Sequence, residues 1–407
     1  MRLLILSPEL WPIYGGVGNY VVQVVKNMPR DVEIEIATMS SSTTPSEEAD
    51  SLTKLGTVLP SNVRITYLGK RRSTGLRRIA FPWECRDYLK TIVANKRFDI
   101  VHAASTLPDF LVSPKRLGIP LVSTIHTTVE GHWQSLKSLR GRFGELNRSE
   151  KWVLMFGPVL SWVENSYYTN SRHYITVSEW AKRKIIEEKR IDPDRIRVIQ
   201  IGVDSDNFTP AKRERARQIY PDLSAIDKPK VLYLSRMATR KGIGLLIKAI
   251  PKILQKVDVH FVFAGAGERP EFNIPKQDYT YLGLVPHDHP PYLYSMSDIF
   301  ILPSLYENFP ACILEAMASE CAAVSTRICG IPEMIKHDEN GLMIPPNDVD
   351  EISRAIIRLA EDDGLRRKMG KRAREDIVKT FSWERASANT MKYYEEVVSR
   401  DGRQGRS

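Results

Sequence analysis

Glu307 and Glu315 lie on either side of a point where an apolar, strand-like run gives way to a helix-like run. Residues 299–302 are apolar and residues 316–318 favour helix, so a helix is predicted to begin near Pro310. A helix N-terminus presents free backbone N–H groups and partial positive charge, which suit phosphate. Carboxylates beside such a site can accept hydrogen bonds from sugar hydroxyls. Taken alone, the pair is equally consistent with ordinary surface glutamates.

Two basic residues follow another strand-like run at residues 231–235. Arg236 comes directly after it, and Lys241 opens the next predicted helix. In an open parallel sheet, ligands bind outside the carboxyl ends of the strands, so both cations should lie on the same edge as Glu307. A guanidinium fork and an ammonium group can together neutralise a diphosphate. A structural role is less favourable, because a cation at a helix N-terminus opposes the dipole.

These residues belong to a set of motifs that resembles the family-4 retaining glycosyltransferases in order and spacing. The set comprises Ser235-Arg236 with Lys241-Gly242, Gly265-Ala266-Gly267, and Glu307-x-Phe309 with Glu315, preceded by Gly15-Gly16-Val17-Gly18 and by Ile201-Gly202-Val203-Asp204. The resemblance covers nearly the whole chain, from Arg2 to about Trp383. Pro310 stands where the family usually has Gly, and Ile201 where it usually has Asn. Because proline has no N–H, one backbone contact to the donor is in doubt.

The resemblance implies an α/β protein of GT-B fold, with two Rossmann-like domains whose parallel sheets face a central cleft. It implies transfer of a hexosyl group from a nucleotide-diphosphate sugar to a hydroxyl acceptor, with retention and without a metal. Four residues would be catalytic. Arg236 and Lys241 would neutralise the diphosphate, Glu307 would bind the transferred sugar and stabilise charge at its anomeric carbon, and His126, after a predicted strand, would face that sugar.

The remaining donor-binding residues follow from the same resemblance. Glu315 would bind the ribose hydroxyls, backbone near Val285 would border the base, and the glycines at 265 and 267 would let the nucleotide lie against the backbone. The full predicted donor set is Gly15, Gly16, Gly265, Val285, Phe309, Pro310, Ala311 and Glu315. An ordinary tight turn at Gly15-Gly16 and a structural His126 are the alternatives that the residues themselves leave open.

The domain organisation is predicted from alternating strand and helix patterns. Residues 1–204 would form the acceptor-side Rossmann-like domain, joined by a C-terminal helix at 383–400, and residues 205–382 would form the nucleotide-sugar domain. Strands are predicted near residues 3–7, 33–37, 99–102, 121–124, 174–177, 196–200, 230–234, 260–264, 280–282, 299–302, 322–325 and 341–344. The tail 400–407 is polar and is predicted to be disordered. Residues 126–168 are consistent with an acceptor-facing or lid element, or with a surface excursion.

Composition limits the class of protein. With 407 residues, 42% of them hydrophobic, and a mean hydropathy of −0.29, the chain is long enough for two domains with their own cores. No run approaches the roughly 20 apolar residues of a membrane helix. The N-terminus enters a strand at once, so no signal peptide is expected. The four cysteines lack metal-ligand spacing and a small disulfide-rich context, which favours a reducing, cytoplasmic compartment. Neither a metal site nor a cofactor beyond the donor is expected.

The net charge of +10 indicates an anionic partner. The nucleotide diphosphate is one, and no nucleic acid is expected. A second basic cluster, close to Trp83, could make a peripheral contact with an anionic membrane at the inner face, as in lipid-modifying members of the family that the chain resembles. Its residues are Lys70, Arg71, Arg72, Arg77 and Arg78. The alternative is a solvated basic surface.

Two other functional classes stay open. A GT-B nucleotide-sugar epimerase would need an acid–base carboxylate pair at the sugar ring, which cannot be placed. A non-catalytic sugar-nucleotide binding protein is disfavoured by the intact set Arg236, Lys241, Glu307 and Glu315. The sequence does not decide between UDP, GDP and ADP sugars, nor does it identify the acceptor.

Overall fold

A computed structural model of the protein describes residues 1–10, 15–39, 54–69, 74–94, 98–137, 146–169 and 172–404. The chain divides into two compact units. The first unit contains Met1–His126, Trp162–Ile201 and Trp383–Ser407, and the second contains Thr127–Ser161 and Gly202–Ser382.

The first unit is built on a seven-stranded parallel sheet of order β3-β2-β1-β4-β5-β6-β7. Its strands are β1 Arg2–Ser7, β2 Glu33–Met39, β3 Val63–Leu68, β4 Ile100–Ala103, β5 Leu121–Ile125, β6 His173–Thr176 and β7 Ile196–Val198. The central strands are buried on both faces, which explains their nearly continuous apolar sequences.

The second unit is built on a six-stranded parallel sheet of order β10-β9-β8-β11-β12-β13. Its strands are β8 Lys230–Leu234, β9 His260–Ala264, β10 Tyr279–Gly283, β11 Ile299–Leu302, β12 Ala322–Thr326 and β13 Leu342–Ile344. The order reverses between β8 and β11. The loops after these two strands therefore leave the sheet side by side, which is the arrangement that creates a ligand site in open α/β sheets.

Helices connect the strands of both sheets. They are α1 Gly16–Lys26, α2 Thr74–Ala94, α3 Pro114–Leu117, α4 Val129–Lys137, α5 Arg148–Tyr167, α6 Glu179–Lys189, α7 Arg213–Ile219, α8 Pro221–Ser224, α9 Ile243–Leu254, α10 Pro290–Ser295, α11 Ala311–Ala318, α12 Val349–Glu361, α13 Asp363–Thr380 and α14 Trp383–Gln404. A short helical stretch also covers residues 54–58.

Helix α14 completes the core of the first unit. Trp383, Tyr394 and Val397 belong to its main apolar cluster, and the Ser387 hydroxyl donates a hydrogen bond to the Val24 carbonyl at 2.9 Å. The predicted disorder from residue 400 is wrong up to residue 404, because the helix continues to Gln404. Residues 405–407 lie outside the described chain.

The division of the chain differs from the predicted domains in one segment. Residues 127–161 pack with the second unit, although they were expected within the first domain of 1–204, and the chain passes from the first unit to the second after Ile201. Apolar contacts explain the difference. Leu136, Leu146 and Leu154 form a buried cluster against Leu305 of the second unit.

Strand β3 is the strand that the sequence did not indicate. It lies at the edge of its sheet and pairs only with β2 among the described strands. Its side chains are mostly half-buried, so it lacks the continuous apolar run by which the buried strands are recognised.

Gly265, directly after β9, offers a test of how tightly the strand ends of the second sheet pack. Its φ is +139°, and a methyl group on its Cα would lie 1.9 Å from the Ser235 carbonyl oxygen. We expect Gly265→Ala to lower the free energy of unfolding by about 3 kcal/mol, because it adds both strain and a clash with backbone. Urea unfolding followed by circular dichroism measures this.

The matched control is Gly244→Ala on α9, where an added methyl group meets nothing within 4 Å. This substitution is expected to raise the free energy of unfolding by about 0.5–1 kcal/mol, because alanine favours helix over glycine. Equal unfolding midpoints for the two variants would contradict the packing described for Gly265.

Candidate active site

Glu307 is a buried carboxylate on the loop between β11 and α11. Its Oε1 accepts a hydrogen bond from the Ser304 hydroxyl at 3.0 Å and another from the Lys241 ammonium group. Ser304 is fixed in turn, because its carbonyl accepts a hydrogen bond from the Thr326 hydroxyl at 2.6 Å. The neighbouring strand β12 therefore holds the loop that presents Glu307.

Arg240 is the second cation beside Glu307, and the sequence did not single it out. Its Nη1 lies 3.6 Å from Glu307 Oε1 and donates a hydrogen bond to the Tyr306 carbonyl at 2.8 Å. Its own carbonyl accepts the Leu305 N–H at 2.8 Å. Arg240 thus ties the loop after β8 to the loop after β11 through both its side chain and its backbone.

The electrostatics of this cluster keep Glu307 ionised. Burial raises the pKa of Glu307, but the charges of Lys241 and Arg240 and the hydrogen bonds from Lys241 and Ser304 outweigh burial, so the pKa is lowered overall. An ionised carboxylate can accept hydrogen bonds from hydroxyls and stabilise positive charge on a neighbouring carbon.

Arg236 is exposed and makes no side-chain hydrogen bond or ion pair within the part of the chain that the structure describes. Its pKa is lowered by partial burial and by the charge of Arg240. Together with Arg240 and Lys241 it makes three cations beside two carboxylates, Glu307 and Glu150. Such a surplus of positive charge is unfavourable until an anion binds.

The loop that carries Lys241 differs in one detail from the prediction. Lys241 ends a short 3-10 turn, Thr239–Lys241, and helix α9 begins two residues later at Ile243. Gly242 lies between them with a φ of +76°, and a methyl group there would stand 1.9 Å from the Pro303 carbonyl oxygen. Glycine therefore allows the two loops that carry Lys241 and Glu307 to approach closely.

Helix α11 begins where the sequence indicated. Pro310 is its N-cap residue and Ala311 its first residue, so the missing proline N–H falls outside the helix and the N–H groups of its first turn remain. Glu315 lies one turn further along and accepts a hydrogen bond from the Tyr294 hydroxyl at 3.2 Å. Burial raises the pKa of Glu315 to about 7. Its charge therefore changes near neutral pH.

Two predicted donor residues pack against other parts of the protein. The Phe309 ring is buried against Phe381, with 5.7 Å between ring centroids, so only its backbone is available to a ligand. The position that a methyl group on the Gly265 Cα would take is filled by the Ser235 carbonyl oxygen. Val285 is half-buried just beyond β10, next to the exposed Leu284.

The predicted residues of the first unit lie at the ends of its strands. His126 follows β5, where its Nε2 lies 3.0 Å from the Ala104 carbonyl and its ring meets Tyr20 edge-on. Burial lowers the pKa of His126 to about 4, so it is neutral at pH 7. Gly15 is the N-cap residue of α1 and Gly16 its first residue. The Glu9 carboxylate occupies the position where a methyl group on Gly15 would stand.

Helix α4 brings a further residue to the second unit's cluster that sequence reasoning missed. At Gly131, an added methyl group would lie 2.3 Å from the Tyr306 hydroxyl oxygen, so the helix packs directly on the loop that carries Glu307. His132 follows, and burial and the charges of Arg240 and Arg236 lower its pKa to about 4. Its Nε2 is buried and has no hydrogen-bond partner among the described residues.

Helix α5 begins with a capping box that also reaches the cluster. Asn147 Oδ1 accepts the Glu150 N–H at 2.9 Å, and Glu150 Oε2 accepts the Asn147 N–H at 3.1 Å. The other oxygen of Glu150 accepts the Arg240 N–H at 2.9 Å. The signal for the box was present in the sequence as Asn147-x-x-Glu150, but nothing there indicated the contact with Arg240.

The side chains of the predicted basic cluster at residues 70–78 are not part of the described structure. Lys70, Arg71 and Arg72 lie outside the described residues, and so do the side chains of Arg77 and Arg78. None of the described helices combines the length and the apolar character needed to cross a membrane.

Comparison with known proteins identifies the family of both halves of the chain. The family described as "Glycosyltransferase Family 4" matches residues 14–207, and the family described as "Glycosyl transferases group 1" matches residues 216–376. The uncharacterized glycosyltransferase MJ1607 of Methanocaldococcus jannaschii is 27% identical over 323 residues, which are 77% of this chain and 79% of that protein.

Two solved structures share the fold over nearly the full chain. Sucrose-phosphate synthase from Thermosynechococcus elongatus superposes with a TM-score of 0.76 at 20% identity, covering 98% of this chain and 99% of that one. Anabaena HepE in complex with UDP-glucose superposes with a TM-score of 0.73 at 17% identity, covering 97% and 100%. With both halves matched and two parallel α/β units observed, the chain belongs to the family-4 glycosyltransferases and has the GT-B fold.

Proposed function

We propose that this glycosyltransferase moves a sugar from a nucleotide-diphosphate sugar to a hydroxyl acceptor, with retention of anomeric configuration and without a metal ion. The observation that carries the proposal is the buried, ionised Glu307 held by Lys241 and Arg240 beside the exposed Arg236. This cluster stands in the loops after β8 and β11, where the strand order of the sheet reverses.

The charges of the cluster suit a diphosphate. Arg236, Arg240 and Lys241 exceed the carboxylates Glu307 and Glu150 by one positive charge, and the bridging diphosphate of a nucleotide sugar carries two negative charges. The N–H groups at the start of α11 add a partial positive charge nearby. These groups would stabilise the diphosphate as it leaves, which is the role that a metal ion plays in other transferases.

Glu307 would act on the transferred sugar. When the diphosphate attracts Lys241 and Arg240, the carboxylate becomes available to accept hydrogen bonds from sugar hydroxyls. Its negative charge would also stabilise the positive charge that develops at the anomeric carbon in the transition state. Glu315, whose carboxylate accepts a hydrogen bond from the Tyr294 hydroxyl, would bind the ribose hydroxyls.

The identity of the donor is open among UDP, GDP and ADP sugars. HepE was crystallised with UDP-glucose, which makes UDP-glucose the first donor to test. Incubation with a panel of nucleotide sugars, with and without acceptors, separates transfer from hydrolysis, epimerisation and binding without reaction. Proton NMR of the glycoside product then gives its anomeric configuration. An inverted product, or epimerised donor with no transfer, would overturn the proposal.

Arg236→Ala and Lys241→Ala test the diphosphate site. Each is expected to lower kcat/KM by about 10²–10³, the scale of removing one group that stabilises charge in a transition state. The matched control is Lys256→Ala, an exposed lysine beyond α9, which should leave kcat/KM unchanged. Wild-type rates in both site variants with the true donor would refute the role of this cluster.

The titration of Glu315 predicts a pH dependence for donor binding. Because its pKa in the free protein is about 7, Glu315 is mostly protonated at pH 6 and mostly ionised at pH 8. A carboxylate accepts hydrogen bonds from both ribose hydroxyls better than a protonated carboxyl group does, so the Kd should fall up to about tenfold over this range for a nucleotide sugar, whose bridging diphosphate does not titrate there. Isothermal titration calorimetry at several pH values measures it.

In Glu315→Gln, the affinity should be weaker and nearly independent of pH between 6 and 8. Glu339→Gln, an exposed glutamate before β13, is the control and should keep the pH dependence of the wild type. A Kd that rises with pH in the wild type, or a pH dependence that survives in Glu315→Gln, would exclude this role for Glu315.

A further inference from the structure

Helix α4 carries a histidine whose buried ring nitrogen has no partner. The Nε2 atom of His132 is closed to solvent and makes no hydrogen bond with any described residue. Buried polar atoms are nearly always hydrogen-bonded, because leaving such a bond unmade lowers the stability of the folded protein. Packing alone therefore gives no reason for an imidazole at this position, whereas a bound ligand would supply the missing contact.

The residues on either side of His132 fix the position of its helix. A methyl group added at Gly131 would lie 2.3 Å from the Tyr306 hydroxyl oxygen, so α4 touches the loop that follows β11. The Trp133 ring fills the position where a methyl group on Gly157 of α5 would stand. His132 is thus held between the loop of the donor cluster and α5, all within the second unit.

The charges of the donor cluster act directly on His132. Burial and the positive charges of Arg240, Arg236 and Lys241 lower its pKa to about 4 against the opposing effect of Glu307, so the imidazole is neutral at pH 7. A neutral imidazole has one N–H group and one lone pair. It can therefore donate a hydrogen bond in this cluster without adding a fourth positive charge to it.

An anion suits the position beside His132 better than a neutral hydroxyl does. The three cations already attract negative charge to the cluster. Which ring nitrogen of a neutral imidazole carries the proton is set by its hydrogen bonds, so an anion beside Nε2 selects the form that has its N–H there. A hydrogen bond to a charged acceptor is also stronger than one between neutral groups.

We propose that His132 Nε2 donates a hydrogen bond to the diphosphate of the bound nucleotide sugar. This inference rests on the proposed function and extends the diphosphate site from the loop after β8 to α4. Negative charge grows on the diphosphate as it leaves, so the hydrogen bond strengthens in the transition state and makes His132 a catalytic residue. The nitrogen is without a partner in the free protein because its partner arrives with the donor.

His132→Phe is the variant that tests the contact, because it keeps a ring and removes both nitrogens. Isothermal titration calorimetry measures the Kd for inorganic pyrophosphate and for whichever of UDP, GDP and ADP the wild type binds. We expect both Kd values to rise about 10- to 100-fold, the scale of one hydrogen bond to a charged group. His132→Gln places an amide N–H near the position of Nε2 and should retain most of the affinity.

The stability of the same variant separates binding from a structural role. Without ligand, the urea midpoint of His132→Phe should rise, because an apolar ring replaces a polar atom that has no partner. The matched control is His337→Phe, since His337 Nδ1 accepts the Met343 N–H at 3.0 Å. That variant should unfold at a lower urea concentration and bind pyrophosphate as the wild type does. His132→Leu repeats the test with a smaller side chain.

Three results would overturn the inference. They are an unchanged Kd for pyrophosphate in His132→Phe, a loss confined to the nucleoside diphosphate, and an effect seen only in the KM for the acceptor. Arg236→Ala, titrated in parallel, shows which claim has failed. If it weakens pyrophosphate binding and His132→Phe does not, the role of His132 alone is wrong. If neither variant weakens it, the proposed diphosphate site is wrong as well.

Discussion

The buried carboxylate of Glu307 is the group on which the arrangement of the second unit's loops depends. A buried charge is tolerated only when it is paired and hydrogen-bonded, and removing one partner costs about 3–5 kcal/mol. Lys241, Arg240 and Ser304 supply the partners here, and they come from the loops after β8 and β11. Gly242 has to be glycine because these loops approach too closely for a side chain.

The cluster also explains why residues 127–161 pack with the second unit. Arg240 is bound through its side chain to the loop of Glu307 and through its N–H to Glu150 of α5. Tyr306, next to Glu307, lies against Gly131 of α4. A segment that the chain order assigns to the first half thus supports the charged residues of the second half. A donor that changed the position of Arg240 would change the support of α5 as well.

The sequence predicted those site residues whose position follows from sheet topology alone. Arg236, Lys241 and Glu307 were expected together because parallel strands end at one edge, and the structure places Lys241 and Glu307 in contact. Helix α11 was expected because Pro310 and the residues after it carry a helix-start pattern. In both cases the information is local, or it depends only on strand order.

The residues that were missed depend on contacts between distant segments. Arg240 looks like any basic residue in a helix-start segment, and its role appears only when Glu150 and Tyr306 lie beside it, 90 and 66 positions away in the chain. His132 is likewise defined by its neighbours rather than by a motif. Gly265 was predicted to let a nucleotide lie against the backbone, and nothing in the sequence indicated that the Ser235 carbonyl oxygen would lie beside its Cα.

The central claim is that Glu307 competes with a diphosphate for Lys241 and Arg240 and acts on the transferred sugar. Calorimetry with UDP, GDP and ADP on the wild type and on Glu307→Gln, together with kcat for transfer, tests it most directly. The account predicts that the variant binds its nucleoside diphosphate about tenfold more tightly, because the cations are released, while kcat falls by about 10²–10³. Weaker diphosphate binding in the variant, or an unchanged kcat, would contradict the account.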